Sequence, residues 1–459
     1  MKKLRFLFAL SAGKLSAFLL KVLGRNATYL PGKIALRLYP DFLGGLTPPK
    51  VVIAVTGTNG KTTVSNLLTS MLRENGYSVT NNSYGSNIQA GIATVLMADS
   101  TLTGKAKKDI AVLEVDERSS LRIYPYIQPD YLVCNNLMRD SIRRNAHTGF
   151  IRYIIDKALP EKTRLILNAD DLICSGIGPG HESRVYFGLD INHPTEAAVP
   201  FVRDLVYCPR CGGELEAEYI RYNHIGRFRC KSCGMSSPEP DYLVTAMSVE
   251  DGTFTLRHHG QEDTFRLLND NIVNIYNFCC CAALLFEMGL RPEQIGRGFS
   301  QIDIVKSRYD HLEAGDLRIT MQSSKGQNPI ACARSFHYVA QCPGSNKAVF
   351  LLIDDKGDSV NNTESTCWLY DCDHSYLADP SIRQIVFSGP RCLDQKLRAM
   401  LAGVPEEKIV LWPDFHGSAE LLDTANCKDI YILFDVYLQG EAEHVKNQLL
   451  QGVKEAVMS

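Results

Sequence analysis

The sequence predicts an α/β protein: a P-loop domain that carries an inserted four-cysteine ribbon, followed by a smaller Rossmann-like α/β domain. The first observation is the apolar run Val51–Val55, followed by a glycine-rich turn and a helical pattern of apolar residues. The second is the alternation of short β-rich runs with helical stretches from about residue 49 to residue 300, which is typical of a mostly parallel sheet. The third is a pair of Cys-x-x-Cys motifs between residues 204 and 240.

Length and composition indicate a globular protein of about three domains, since the chain has 459 residues. The formal net charge is −2 and 22% of the residues are charged, which gives no support for nucleic-acid binding. Four of the 15 cysteines lie in a metal-binding pattern and the others are scattered, so a reducing cytoplasm is expected. Cys279–Cys281 are consecutive in an apolar helical stretch, and we expect them to be small buried side chains.

The chain divides into three predicted parts. Residues 1–48 form an N-terminal helical segment, and residues 49–302 form the central P-loop domain with the ribbon inserted at 204–240. Residues 303–459 form the C-terminal α/β domain. Its predicted strands are the apolar runs Val349–Ile353, Ile385–Phe387 and Ile430–Phe434.

The N-terminal segment is apolar from Leu4 to Leu23, but Lys14 and Lys21 interrupt it. No small-residue cleavage site follows it cleanly, and it is too short and too charged to span a bilayer. Two alternatives remain open. The segment packs as an amphipathic helix on the body of the protein, or it lies on a membrane surface. In the second case the apolar contacts would be Phe6, Phe8, Leu15 and Phe18.

The turn at residues 56–63 reads T-G-T-N-G-K-T-T and predicts a nucleotide-phosphate site. Backbone N–H groups and a helix N-terminus in such a loop face phosphates. Lys61 would reach the β- and γ-phosphates, and the Thr62 hydroxyl would bind Mg²⁺. The general P-loop pattern has a glycine where this chain has Val55, so the loop is a shorter variant. The alternative is a glycine turn without a ligand.

Three acidic residues, Glu114, Asp116 and Glu117, follow the apolar run Ile110–Leu113. Ligands of open α/β sheets bind at the carboxyl ends of the strands, so a carboxylate there can meet the Mg²⁺ of a bound nucleotide. The alternative is a solvated strand end.

The ribbon motif is Cys208-x2-Cys211 followed by Cys230-x2-Cys233. Four thiolates at this spacing close a tetrahedral Zn²⁺ site with no open position, so we predict a structural and not a catalytic metal. Mixed charges surround the motif, and a nucleic-acid-binding ribbon is the alternative.

The T-G-T-N-G-K-T-T sequence resembles the Mur ligase family, which also contains the folylpolyglutamate synthases. These enzymes use ATP to convert a carboxylate into an acyl phosphate that an amine then attacks. The resemblance implies a Mur ligase-like central domain in which Thr62 and Glu114 hold Mg²⁺. The nucleotide-binding residues that it implies are Thr58, Asn59, Gly60, Lys61, Thr62, Thr63, Asn274, Asn277 and Arg308.

Several positions depart from the family pattern or have a second interpretation. Ser141 stands where the family has a second metal-binding histidine, and both neighbours of Arg308 are altered. Asn271, Asn274 and Asn277 resemble a family segment that contacts the nucleotide near the adenine, although an exposed helix start with capping residues has the same composition.

The order of leader, P-loop domain, ribbon and short C-terminal domain is similar to one amidating branch of the family. In that branch the ATP-binding subunit of lipid II isoglutaminyl synthase forms a heterodimer with a GatD-like class I glutaminase. The complex amidates the α-carboxyl of D-glutamate in the lipid II stem peptide at the membrane surface. Two alternatives are a different amino-acid ligase and a non-catalytic ATP- and zinc-binding scaffold.

The resemblance also implies a catalytic role for Asp358. In that branch a loop after a strand of the C-terminal domain supplies a carboxylate that orients the Cys–His pair of the glutaminase, as in catalytic triads in general. Residues 352–360 match that loop. An insertion near residues 361–366 shifts the match, so Asp355 or Asp354 are alternatives. The remaining interpretation is an acidic surface loop.

Overall fold

The computed structural model describes residues 2–82, 86–139, 147–191, 201–202, 204–302, 309–324, 328–354 and 366–458. These residues form two compact units. The first contains the described residues up to Met138 and most of those between Thr148 and residue 302. The second consists mainly of the described residues from 309 onward.

The first unit is built on a nine-stranded sheet with the order β11-β10-β9-β6-β5-β4-β1-β3-β2. Strands β2, β3, β1, β4, β5, β6 and β9 run parallel. The central strands β1, β3, β4 and β5 are apolar runs buried almost throughout, as is typical of a parallel sheet covered on both faces. The nine strands of this sheet are β1 (Val51–Thr56), β2 (Val79–Asn81), β3 (Ile110–Glu114), β4 (Tyr131–Cys134), β5 (Arg164–Asn168), β6 (Arg184–Leu189), β9 (Tyr242–Ser248), β10 (Thr253–His258) and β11 (Gln261–Arg266). Strands β7 (Leu215–Tyr222) and β8 (Ile225–Cys230) form a separate two-stranded sheet. The predicted mostly parallel α/β sheet is confirmed.

Helices surround this sheet and supply the rest of the core. They are α1 (Lys2–Val22), α2 (Leu30–Leu38), α3 (Phe42–Gly45), α4 (Lys61–Glu74), α5 (Gln89–Ala98), α6 (Ser120–Ile123), α7 (Thr148–Ala158), α8 (Ile272–Glu287) and α9 (Pro292–Gln301). Helix α8 is apolar around its whole circumference and is buried from Ile275 to Leu285. The three consecutive cysteines Cys279–Cys281 lie in this stretch with no exposed surface, so the prediction that they are buried is confirmed.

One edge of the large sheet is antiparallel, which the sequence reading did not anticipate. Strand β10 pairs antiparallel with both β9 and β11. His259 and Gly260 form the two-residue turn between β10 and β11, with φ values of 46° and 77°. Positive φ at both positions is the conformation of a type I′ hairpin turn, so a short loop ending in glycine was the signal for this hairpin.

Helix α1 packs on the body of the first unit. Phe6 and Leu10 are buried in the same core as Phe42 and Leu43, and the rings of Phe6 and Phe42 lie 5.4 Å apart. Phe6 therefore faces the core, and its assignment to a membrane-facing set is wrong. Phe8, Leu15 and Phe18 are exposed on the other side.

The cysteine ribbon is the antiparallel hairpin of β7 and β8. It lies in the chain between β6 and β9, which are parallel neighbours in the large sheet. The hairpin is therefore an insertion in the connection between two adjacent strands of the large sheet.

The second unit has a six-stranded sheet with the order β12-β13-β17-β14-β15-β16. Strands β13 to β17 are parallel, and β12 pairs antiparallel with β13 at the edge. The strands are β12 (Tyr309–Ala314), β13 (Leu317–Ser323), β14 (Lys347–Leu352), β15 (Ile382–Ser388), β16 (Ile409–Trp412) and β17 (Asp429–Phe434). The helices are α10 (Pro329–Gln341), α11 (Cys367–Asp371), α12 (Cys392–Leu401) and α13 (Gln439–Met458).

Candidate functional site: a P-loop beside a cysteine ribbon

The glycine-rich turn links the end of β1 to the start of α4. Gly57 and Gly60 have φ values of 117° and 88°, in the region that favours glycine. Helix α4 begins at Lys61 without a side-chain cap. The first four N–H groups of a helix have no intrahelical acceptor, so this end of α4 can receive phosphate oxygens.

The segment after β4 holds the turn from one side. The Asn136 carbonyl accepts from Thr58 N at 2.9 Å, and the Asn136 side chain accepts from Asn59 N at 3.0 Å. Thr58 Oγ1 accepts from Met138 N at 2.8 Å and lies 2.9 Å from Met138 O. The N–H groups of Thr58 and Asn59 are thus already bonded within the protein. The N–H groups from Gly60 to Thr63 lie at the N-terminal end of α4, where a helix can receive an anion.

Lys61 forms an ion pair with Glu117, with Nζ 2.9 Å from Oε1. The Glu117 side chain is 1% exposed and lies in a short 3-10 helix, Glu117–Ser119, after β3. Lys61 Nζ also donates to the Gly57 carbonyl. The ammonium group of Lys61 therefore lies between Gly57 in the turn and Glu117, and a bound phosphate would compete with Glu117 for this ammonium group.

Thr62 and Glu114 meet at the carboxyl end of β3. Thr62 Oγ1 donates to Glu114 Oε2 at 2.8 Å, and Asn87 Nδ2 donates to Glu114 Oε1 at 3.2 Å. Asn82 bonds both backbone polar groups of Glu114, at 2.8 and 2.9 Å. A hydroxyl and a carboxylate at this spacing fit Mg²⁺, which binds one or two protein oxygens together with water and phosphate. Hydrogen bonds from Thr62 and Asn87 thus fix the position of the Glu114 carboxylate, so Glu114 is not simply a solvated strand end.

The side chains of Asn277 and Asn135 lie against Gly60 of the turn. Asn277 is 1% exposed, and its Oδ1 accepts from Asn135 Nδ2 at 2.6 Å. Asn277 Nδ2 donates to Asn274 Oδ1 at 3.3 Å. Asn271 is the N-cap of α8 and accepts from Val273 N at 3.1 Å, so the capping interpretation holds for that residue. Asn277 instead lies against Gly60, where an added Cβ would be 2.5 Å from its Oδ1.

The four ribbon cysteines converge, with their sulfur atoms all within 4.8 Å of one another. Cys208 Sγ lies 3.7 Å from Cys233 Sγ, and Cys211 Sγ lies 3.5 Å from Cys230 Sγ. A tetrahedral Zn²⁺ with Zn–S bonds of about 2.3 Å needs sulfur atoms roughly 3.8 Å apart, so these residues fit that ion. Backbone N–H groups, first that of Cys233, lower the pKa of Cys230, whereas at Cys211 the Gly213 N–H lowers the pKa but hydrogen bonds with the other three cysteines outweigh it and leave the pKa raised.

The tip of the ribbon hairpin reaches the P-loop region. His224 is 2% exposed, and its Nε2 lies 3.5 Å from Asp171 Oδ1 while its Nδ1 lies 3.9 Å from Asp204 Oδ2. Burial lowers the pKa of His224, but the carboxylates of Asp171 and Asp204 outweigh burial and leave the pKa raised. Asp171 Oδ2 accepts from Leu137 N at 2.8 Å. Leu137 lies between Asn136 and Met138, the two residues that bond the glycine-rich turn. Asp171 therefore lies between His224 at the hairpin tip and the segment that holds this turn.

A second buried carboxylate, Asp170, ties the hairpin to α8. Tyr276 OH donates to Asp170 Oδ2 at 2.6 Å, and Tyr219 OH of the hairpin lies 3.4 Å from Oδ1. Burial raises the pKa of Asp170 and raises that of Tyr276 well above its ordinary value. Sequence reasoning missed this contact, because both tyrosines lie far from Asp170 along the chain.

Several predicted site residues lie in the second unit or between described segments. Arg308, Asp358, Asp355 and Ser141 lie outside the described residues. Asp354 is half-buried at the end of the segment that follows β14. The sequence-derived residues of the first unit are all placed, and those around the P-loop are brought together.

Comparison with known proteins identifies the class first. Residues 55–196 match the family model of the Mur ligase middle domain. The fold is similar to a pseudomurein peptide ligase type C from Methanothermus fervidus, with a TM-score of 0.66 at 19% identity, covering 89% of this chain and 81% of that one. The fold and the P-loop define a Mur ligase-like protein.

Residues 326–437 match the family model of the MurT ligase C-terminal domain. The chain is 31% identical over 436 residues to the lipid II isoglutaminyl synthase (glutamine-hydrolyzing) subunit MurT of Streptococcus pneumoniae, covering 94% of each chain. It is 29% identical over 417 residues to the Staphylococcus aureus (strain COL) subunit of the same name, covering 90% of this chain and 92% of that one. The chain therefore belongs to the MurT family.

Proposed function

We propose that the chain is the ATP-binding subunit of a lipid II isoglutaminyl synthase. It would amidate the α-carboxyl of D-glutamate in the lipid II stem peptide and produce D-isoglutamine. The observation that carries the proposal is the P-loop, in which Lys61, Thr62 and Glu114 lie together at the carboxyl end of the parallel strands. It occurs in a chain that is similar over 94% of its length to a subunit with that name.

The reaction has two steps that conserve all atoms. A substrate carboxylate oxygen attacks the γ-phosphorus of ATP, ADP leaves, and an acyl phosphate forms. Ammonia then attacks the acyl carbon, phosphate leaves with the carbon–oxygen bond electrons, and one proton is lost to give the amide. Bound Mg²⁺, held by Thr62 and Glu114, would neutralise charge on the phosphates.

In this proposal Lys61 exchanges Glu117 for the β- and γ-phosphates, where it is the main fixed positive charge. Backbone donors from Gly60 to Thr63 complete the phosphate contacts. Asn274 and Asn277 support the nucleotide from α8, and Arg308 is assigned to nucleotide binding by the resemblance alone.

The test of the ATP site uses Lys61→Ala, with Lys50→Ala as the control because Lys50 is an exposed lysine just before β1. Removing one preorganised donor to a reacting group costs about a hundredfold or more in rate, so we expect at least that loss of amidation by the Lys61 variant. The measurement is mass spectrometry of lipid II incubated with ATP, glutamine and the partner glutaminase. Thr62→Ala and Glu114→Ala should mainly weaken the Mg²⁺ dependence. ATP affinity and amidation equal to wild type in the Lys61 variant would contradict the proposal.

The ammonia donor is a second part of the proposal. The word subunit in the names of the relatives supports a complex, and we assign the partner as a GatD-like class I glutaminase in a heterodimer. Asp358 would orient the catalytic histidine of that partner, with Asp355 or Asp354 as the alternatives. Amidation that proceeds only with an amino acid as the nucleophile would favour a peptide ligase, and absence of ATP turnover with the glutaminase present would favour a scaffold.

The Asp358 assignment is tested by Asp358→Asn, with Asp355→Asn and Asp354→Asn made in parallel. Loss of the carboxylate that orients a catalytic histidine should reduce glutamine hydrolysis by about two orders of magnitude or more, while ATP binding stays intact. Full glutaminase activity in the Asp358 variant complex would exclude this residue.

The location and domain limits follow from the same proposal. No helix among the described residues has the length and hydrophobicity needed to cross a bilayer. Because lipid II is membrane-bound, we place the complex in the cytoplasm, peripheral to the inner face of the membrane. We assign the N-terminal segment to residues 1–48, the central domain with its zinc ribbon at 204–240 to residues 49–302, and the MurT-type C-terminal domain to residues 303–459.

A further inference from the structure

Helix α1 has one face in the core and an apolar stripe on the opposite side. Phe6, Ala9, Leu10 and Gly13 are buried. The exposed stripe consists of Leu4, Phe8, Leu15, Phe18 and Val22, each more than half exposed. Its positions follow the spacing of three to four residues, or twice that, which brings side chains onto one side of a helix.

This stripe is a rigid surface and not a loose end. The buried face fixes α1 through Phe6, whose ring packs on Phe42 and lies close to Gly45, where an added Cβ would be 2.2 Å away. Lys14 Nζ donates to the Ser100 carbonyl at 2.7 Å. A single exposed leucine needs no explanation, but a continuous row of large apolar side chains marks an interaction site.

The charge around the stripe indicates the partner. The first 40 residues contain eight lysines and arginines and no acidic residue, although the whole chain has a net charge of −2. Those exposed around α1 are Lys2, Lys3, Arg5, Lys21 and Arg25. A surface that is apolar along its centre and basic around it matches a bilayer with anionic headgroups, which offers an apolar phase beneath negative charge.

We propose that α1 docks the protein on anionic phospholipid, lying in the plane of the bilayer interface with Phe8, Leu15 and Phe18 inserted among the acyl chains. This docking is independent of the amidation chemistry. It would bring the P-loop unit to a lipid surface whether or not the substrate assignment is correct.

The test is co-sedimentation of the full chain with vesicles of phosphatidylglycerol and phosphatidylcholine, compared with vesicles of phosphatidylcholine alone. Wild type should bind the anionic vesicles more tightly. Phe8→Ser/Phe18→Ser should lose most of this binding, and Arg5→Gln should weaken it by about fivefold, since one basic residue near an anionic surface contributes about that factor. The control is Val249→Ser, because Val249 is 62% exposed at the turn between β9 and β10.

Thermal unfolding of each variant checks that the fold is intact. Equal sedimentation of wild type and Phe8→Ser/Phe18→Ser, or no vesicle binding by wild type, would overturn the proposal. Self-association through α1 without lipid binding, measured by sedimentation velocity, would also overturn it. Amidation of a water-soluble, short-chain lipid II analogue should be unchanged in these variants, so failure of the docking proposal and failure of the proposed activity give different results.

Discussion

The substitution Gly60→Ala tests how tightly the P-loop is built against α8. Gly60 has a φ of 88°, and an added Cβ would lie 2.5 Å from Asn277 Oδ1 and 3.1 Å from Asn135 Nδ2. Those two atoms are joined by a 2.6 Å hydrogen bond between side chains that are 1% and 3% exposed. The methyl group would therefore have to displace a buried amide pair.

The magnitude has two parts. A left-handed backbone costs a residue with a Cβ about 1–2 kcal/mol. Breaking a buried hydrogen bond and leaving its groups without a partner costs about 1–3 kcal/mol. We therefore expect Gly60→Ala to lower the free energy of unfolding of the first unit by about 2–5 kcal/mol and to abolish measurable ATP binding.

Gly76→Ala is the matched control, because Gly76 follows the other end of the same helix with a φ of 85° and no heavy atom within 4 Å of an added Cβ. It should show only the backbone cost. The assays are urea unfolding followed by circular dichroism and calorimetric titration with ATP. Equal destabilisation by the two substitutions, or ATP affinity equal to wild type in Gly60→Ala, would refute the reasoning.

Two further predictions concern the ribbon. Elemental analysis should find one Zn²⁺ per chain, and Cys230→Ser should remove it and speed hydrogen exchange in Leu215–Cys230 but not in β1; a zinc-free wild-type protein purified without chelator would contradict this. The raised pKa of His224 means that its charged pair stabilises the fold fully below about pH 6.5 and is lost as pH rises through the folded value. His224→Asn should therefore lower the melting temperature more at pH 6 than at pH 9, and a loss independent of pH would count against the pairing.

The sequence predicted those parts of the site that are local in the chain. The apolar run before the glycine turn, the Lys61-Thr62 pair and the two cysteine motifs each have a spacing that only a few structures satisfy. The carboxyl-end rule placed Glu114 near Thr62 because β1 and β3 are parallel neighbours: Glu114 is the last residue of β3, and Thr62 lies in the first turn of the helix that follows β1.

The contacts that complete the site are between residues far apart in the sequence. Glu117 pairs with Lys61 from 56 positions away, and Asn136 bonds Asn59 from 77 positions away. The sequence singled out Glu114 among three nearby acidic residues, but it did not show that Glu117, in the 3-10 helix after β3, meets the lysine. The sequence also did not show which face of helix α1 packs on the core. The helix is apolar on both sides, so its pattern fits either orientation.

The position of the hairpin between β6 and β9 has a consequence for the order in which the protein assembles. Its ends are held together by adjacent parallel strands, Phe187 pairing with Tyr242. A metal bound by Cys208 and Cys233 cross-links about half of the intervening chain, and halving a loop changes its closure entropy by only about 0.6 kcal/mol. Closure of the large sheet therefore does not depend on a metal in the ribbon.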